Sequence, residues 1–258
     1  MFDYTGKNVM VFGGTSGINL GIAHAFARAG ATLGVASRNP DKVDAAREAL
    51  SAYGTPARGY SLDVREFVAV QDAIADFAAR HGEIDVLVSG AAGNFPAAAA
   101  TLSSNGFRAV TDIDTLGTFH VCRAAYPHLA KPGAVVLNIS APQASHASSM
   151  QIHVCAAKAG VDMITRVLAL EWGREGIRVL SVTPGPIEGT EGMDRLAPTP
   201  EAKARSARNV PLGRMGTVDD VADVCLFLGS DMARYMTGAV IPVDGGSTAG
   251  RAMSGLQS

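Results

Sequence analysis

The stretch NVMVFGGTSGINLGIAHAFARAG, from Asn8 to Gly30, decides the fold. It opens with a short apolar run, turns through Gly13 to Gly17, and passes into a helical pattern that starts near Ile18. A strand buried on both faces reads as continuously apolar rather than alternating, and this run does so. Glycines let backbone approach a pyrophosphate, and the N-terminus of the following helix offers unpaired N–H groups and positive dipole. The turn, with Thr15 and Ser16 between its glycines, therefore reads as a dinucleotide site. The usual spacing calls for another glycine at position 19, where the residue is Asn19. Asparagine tolerates left-handed backbone, so the turn is expected to survive.

The same alternation continues along the chain. The apolar runs are NVMVFGG, TLGVASR, RGYSLDV, IDVLVSGAAG, AVVLNIS, RVLSVTPGP and GAVIPVDGG. Between them lie helical stretches at residues 20–30, 41–53, 67–80, 105–129 and 151–172. Strand–helix alternation predicts right-handed βαβ units and a doubly wound, seven-stranded parallel sheet in a single Rossmann-like α/β domain. The segment from Pro184 to about Pro211 carries Pro184, Pro186, Pro198 and Pro200 and reads as irregular, a substrate lid over about residues 186–212.

The second run ends in Ser37 and Arg38. A free ribose 2′-hydroxyl would call for a carboxylate there; a hydroxyl and a guanidinium suit a 2′-phosphate instead. The expectation is NADP(H) rather than NAD. Asn94 and Phe95 follow the fourth run at its carboxyl end, where ligands of such sheets bind.

Composition narrows the class. The 258 residues are 47% hydrophobic and 18% charged, with a formal net charge of −2, which gives no global basic field for nucleic acid. No long apolar run is free of charges and breaks, so no membrane span is expected. Cys122, Cys155 and Cys225 are widely spaced, show no metal-ligand pattern, and read as buried apolar residues of a reduced compartment. The start of the chain does not resemble a signal peptide, and the final LQS matches no targeting tripeptide. A soluble cytoplasmic protein without a metal is expected.

Taken in order, the glycine loop at Gly13 to Gly21, LDV at Leu62 to Val64, DVLVSGAAG at Asp85 to Gly93, LNIS at Leu137 to Ser140, Lys158, PGPI at Pro184 to Ile187 and VDGG at Val243 to Gly246 resemble the short-chain dehydrogenase/reductase superfamily. The resemblance implies that Asp63 and Val64 hold adenine and that Ala91, Ala92 and Gly93 lie along the cofactor. It implies that Pro184, Gly185 and Ile187 border the nicotinamide, that Lys158 holds its ribose, and that residues 105–129 and 151–172 build a homotetramer. That superfamily works with an Asn, a Ser, a Tyr and a Lys. Here Lys158 stands, but the Tyr position is Val154, the Ser position is Ala141 and the Asn position is Asp114.

A smaller group resembles these replacements. AAGNF at Ala91 to Phe95, DIDTLGTF at Asp112 to Phe119, HVCAAKAGVDMITR from His153 and GPIEGTEGM from Gly185 are similar to peroxisomal 2,4-dienoyl-CoA reductases and their bacterial relatives. That similarity implies an acyl-CoA thioester substrate and catalysis by Asp114 and Lys158, with an ordered water on Asp114 as proton source. Asn94, Phe95, Ser140 and His153 are the candidate substrate contacts. Two other readings stay open: a carbonyl reductase using His153 or His146 as acid, and a nucleotide-binding protein without a reaction.

Overall fold

The computed structural model describes residues 2–250. Seven strands form one sheet in the order β3-β2-β1-β4-β5-β6-β7, and every neighbouring pair is parallel. They are β1 (Asn8–Phe12), β2 (Thr32–Ser37), β3 (Arg58–Ser61), β4 (Val86–Ser89), β5 (Val135–Ile139), β6 (Arg178–Pro184) and β7 (Val240–Val243). Strand order reverses between β1 and β4, which opens a crevice at the carboxyl ends of the strands.

Each face of the sheet is covered. In β1, Val9 and Val11 turn to one core with Phe26 and Ile22 of α1 (Gly17–Arg28). Met10 and Phe12 turn to the other, with Ile74 and Phe77 of α3 (Phe67–His81). All of these side chains are fully buried, and each large one contributes about 1.5–3 kcal/mol of transfer free energy. Helix α2 (Pro40–Ser51) begins on Asn39, whose side chain accepts from the Lys42 N–H at 3.0 Å.

Three features depart from the sequence expectation. The stretch 105–129 is not one helix: α4 (Ser104–Thr111) and α5 (Gly117–Ala125) are joined by a π-helical turn, Asp112–Leu116. The segment after β6 is not irregular: it forms α7 (Glu191–Leu196) and α8 (Pro200–Arg208). Thr190 caps α7 and Thr199 caps α8, which has proline in its first turn, so one proline-marked break is a helix start rather than loop. Cys155 is only half-buried; Cys122 and Cys225 are buried, and burial pushes both thiols up to about 12. The carboxyl-terminal LQS lies outside the described residues. Among these, no helix is long and apolar enough to cross a membrane, and no His, Cys, Asp and Glu cluster could hold a metal ion.

Helix α6 (Ile152–Trp172) carries Lys158, and α9 (Val218–Gly229) covers α1. Thr217 and Asp220 cap α9 reciprocally. Asp220 also takes two hydrogen bonds from Arg214, at 2.7 and 2.9 Å. The Arg214 guanidinium holds this carboxyl well below its ordinary 3.8. A depressed folded-state pKa stabilises above the unfolded value and is lost as pH falls through the folded one. The melting-temperature gap between the wild type and Asp220→Asn is therefore expected to stay constant from neutrality to about pH 4 and to close below it. A gap that closed above pH 5 would assign the effect to another group.

Candidate active site

The floor of the site is the β1–α1 turn. Gly13 has φ +74°, and a Cβ there would stand 2.9 Å from the Ala91 N and 3.0 Å from the Gly90 carbonyl carbon. Helix α1 begins at Gly17, and its N-cap, Ser16, makes no side-chain capping bond. Asn19 is not in left-handed backbone; Met150 is the non-glycine residue with positive φ among those described. Instead the Asn19 Nδ2 donates to the Gly90 carbonyl at 2.7 Å, tying the turn to the end of β4. Gly90 makes this possible, since a Cβ there would lie 2.3 Å from the Asn19 Oδ1.

Two cavities meet over this floor. One, of about 390 Å³, takes in Gly13, Thr15, Ser37, Arg38, Asp63 and Val64. The other, of about 670 Å³, takes in Gly17, Ile18, Asp114, Lys158, Gly185 and Ile187. Pro184 and Ser140 also line the larger one, Ala91 the smaller, and Ser16, Ala92, Gly93 and Asn94 border both. Asp63 is engaged by Arg65, whose Nη2 lies 2.6 Å from Oδ2, and this hydrogen bonding holds the carboxyl below its ordinary range.

The π turn sets the chemistry. An inserted residue in a helical turn re-aims the side chains around it, and here Asp114 lies within the turn, 0% exposed. Its Oδ1 accepts from the Gly93 N–H at 2.7 Å. Its Oδ2 stands 3.2 Å from the Lys158 Nζ, an ion-pair distance without hydrogen-bond alignment. Lys158, 5% exposed, donates to the Ile139 carbonyl at 2.9 Å. A buried charge persists only when paired and hydrogen-bonded, and each of these two has both. Val154 and Ala141 line the same cavity, and the Ser140 hydroxyl beside them is buried without a partner.

Phe95 and His153 stand elsewhere. The His153 ring is 0% exposed, both of its nitrogens lack partners, and it packs 4.5 Å from the Phe95 ring. Neither borders either cavity, so the structure does not bring them to the site as direct contacts; both belong to the wall behind Asn94. His146 does line the larger cavity, its Nδ1 2.9 Å from the Ser145 hydroxyl.

The sequence reading passed over Gln143, Gln151 and Arg195. Gln143 donates to Gln151 at 2.8 Å, Gln151 donates to the Asn94 Oδ1 at 3.0 Å, and Arg195 donates to the Asn94 carbonyl at 3.1 Å. Asn94 thus joins the loops after β4 and β5 to α7. Thr190, four residues before Asp194 in a Thr-Glu-Gly-Met run, was the local sign that α7 and its Arg195 exist.

Comparisons with known proteins give the family. A family described as Enoyl-(Acyl carrier protein) reductase matches residues 13–248. A peroxisomal 2,4-dienoyl-CoA reductase, (3E)-enoyl-CoA-producing, from Pongo abelii is 42% identical over 243 residues, covering 93% of this chain and 83% of its own. A probable 2,4-dienoyl-CoA reductase, (2E)-enoyl-CoA-producing, from Bacillus subtilis is 38% identical over 243 residues, covering 93% and 96%. The crystal structure of a short chain dehydrogenase from Bacillus anthracis superposes with a TM-score of 0.86 at 34% identity, over 96% of this chain and 99% of that one.

Proposed function

We propose, from the premise that the chain belongs to the short-chain dehydrogenase/reductase family and is an oxidoreductase related to the 2,4-dienoyl-CoA reductases, that it is an NADPH-dependent reductase of a 2,4-dienoyl thioester, with an acyl-CoA as substrate. The observation that carries this reading is the buried Asp114–Lys158 pair in a cavity whose wall presents Val154 and Ala141.

The residues fit a nicotinamide dinucleotide. Gly17 leaves the start of α1 open, where a Cβ would meet nothing nearer than the Thr190 Cγ2 at 3.8 Å, and the two cavities join along the glycine turn. Arg38 and Ser37 would hold the 2′-phosphate, Asp63 and Val64 the adenine side, Thr15 to Ile18 the pyrophosphate, and Ala91 to Gly93 the length between. Lys158, Pro184, Gly185 and Ile187 would hold the nicotinamide end. When bound, the cofactor supplies hydride.

Reduction of a conjugated dienoyl thioester gathers negative charge on the thioester oxygen, as an extended enolate, and then returns a proton to carbon. No alkoxide forms, so a phenol acid is not required. Lys158 supplies positive field where that charge develops. Asp114 holds a water as proton donor, its own carboxylate fixed by the Gly93 N–H. Ser140 and Asn94 present polar atoms to the thioester, and Phe95 with His153 backs the wall. Helices α7 and α8 act as the lid over about residues 186–212. Exposed Leu116 and Phe119 on one helical stretch and Met163 and Leu170, the last 82% exposed, on the other support a homotetramer built on residues 105–129 and 151–172. A cytoplasmic location is part of the same proposal.

Purified protein with NADPH is expected to consume it with a 2,4-dienoyl-CoA and not with a 3-oxoacyl-CoA, followed by absorbance with the product identified by mass. Turnover of the oxo substrate alone would favour a carbonyl reductase, with His146, which lines the cavity, as acid. Silence with both, despite NADPH binding, would favour the reading without a reaction.

A further inference from the structure

A chain of ionic contacts crosses the mouth of the dinucleotide cleft. The Lys42 Nζ, in the first turn of α2, lies 3.2 Å from the Glu191 Oε1, in the first turn of α7. The other oxygen of Glu191 lies 3.4 Å from the Arg195 Nη2, and Arg195 donates through Nη1 to the Asn94 carbonyl at 3.1 Å. Asn94, Glu191 and Arg195 border both cavities, whereas Lys42 borders the smaller one beside Arg38 and Asn39. Thr190, just before Glu191, faces Gly17 of the glycine turn, with its Cγ2 3.8 Å from where a Cβ on Gly17 would stand. Any molecule lying in both cavities passes beneath this strap.

We infer that Glu191 is a specificity-determining residue for the cofactor: its carboxylate pairs with Lys42, and the 2′-phosphate of NADPH competes for the same ammonium and so unties α7 from α2. This rests on the NADPH reading above. The chemistry is an exchange of one anion for another on a single ammonium. Lys42 is half-exposed, as is Glu191, and ion pairs of that kind are weak enough to be exchanged. A phosphate presents more charge and more acceptor oxygens than a carboxylate, and Arg38 lies on the same cavity to share it. NADH carries a hydroxyl in place of that phosphate and cannot compete for Lys42. The 2′-phosphate thus removes the tie between α2 and α7, the helix beside the larger cavity.

The test is calorimetric titration of the full-length protein with NADPH and, separately, NADH, for the wild type, Glu191→Gln, Lys42→Ala and the double variant. Glu191→Gln is expected to tighten NADPH about two- to fivefold, the bias an exposed ion pair carries, and to leave NADH unchanged. Lys42→Ala is expected to weaken NADPH about fivefold or more and again to spare NADH. In the Lys42→Ala background, Glu191→Gln is expected to have no further effect. Equal tightening of both cofactors, or an effect that persists without Lys42, would assign Glu191 to the general field of the cleft and overturn the exchange. Weakening of NADPH by Glu191→Gln would overturn it too, since the strap would then close over the cofactor. A wild type that bound NADH as tightly as NADPH would sink the cofactor choice and this inference together. The dienoyl substrate reading is untouched by all of these arms, because none contains an acyl thioester, and it fails only in the turnover assay.

Discussion

Asp114→Asn is expected to lower turnover of a dienoyl-CoA by about 10²- to 10⁴-fold, the range that a positioned proton-transfer group contributes. Asparagine keeps an oxygen for the Gly93 N–H, which Asp114 now receives at 2.7 Å, so the local backbone should hold. What disappears is the charge 3.2 Å from Lys158. The ammonium is then buried with one carbonyl for company, and a buried charge deprived of its partner is costly, about 3–5 kcal/mol where such pairs have been broken. Loss of activity should therefore come with loss of stability, and the two need separate measurements: single-turnover rates with saturating NADPH, and chemical denaturation without it. NADPH affinity should fall far less than turnover, because the residues proposed for the adenine and 2′-phosphate border the smaller cavity, which Asp114 does not line. Full activity in Asp114→Asn would end the aspartate–water proposal.

Gly13→Ala is expected to damage both the fold and the dinucleotide cleft. At φ +74° an alanine is strained by about 1–2 kcal/mol. Its methyl would also meet two backbone atoms, the Ala91 N at 2.9 Å and the Gly90 carbonyl carbon at 3.0 Å. Overpacking costs about 1–3 kcal/mol more, and here no flexible side chain can give way. A fall of about 2–5 kcal/mol in unfolding free energy is expected, with at least tenfold weaker dinucleotide binding by titration. A variant that lost binding but kept its denaturation midpoint would place the whole effect in the cleft rather than in the fold.

The central strands were legible in sequence because parallel strands buried on both faces are built mostly of apolar residues. Val9 to Phe12, Val86 to Val88 and Val135 to Ile139 have no solvent side to accommodate a charge. The glycine turn was legible for a related reason, since the chain can turn there only without a Cβ. The π turn at Asp112–Leu116 was not. It leaves no mark of composition, and residues 105–129 read as an unbroken helical period. Asp114 was found by resemblance, while its approach to Lys158 depends on that unmarked turn. The segment after β6 was read as irregular because its prolines and charges look like loop. Proline is welcome in a first helical turn, and Thr190 and Thr199 stood ready as caps. His153 shows the opposite failure: it is near Lys158 in sequence, yet helical geometry turns it into the wall against Phe95.

The fit of Asn19 over Gly90 constrains the order in which this protein's lineage can change. While asparagine occupies position 19, any side chain at position 90 collides with it, at 2.3 Å for a Cβ alone. With glycine at 19 that obstacle is gone. An ancestor with a larger residue at 90 must have shrunk it before, or together with, the arrival of Asn19. A side chain restored at 90 would displace the Asn19 amide and cost the chain its tie between the glycine turn and the end of β4.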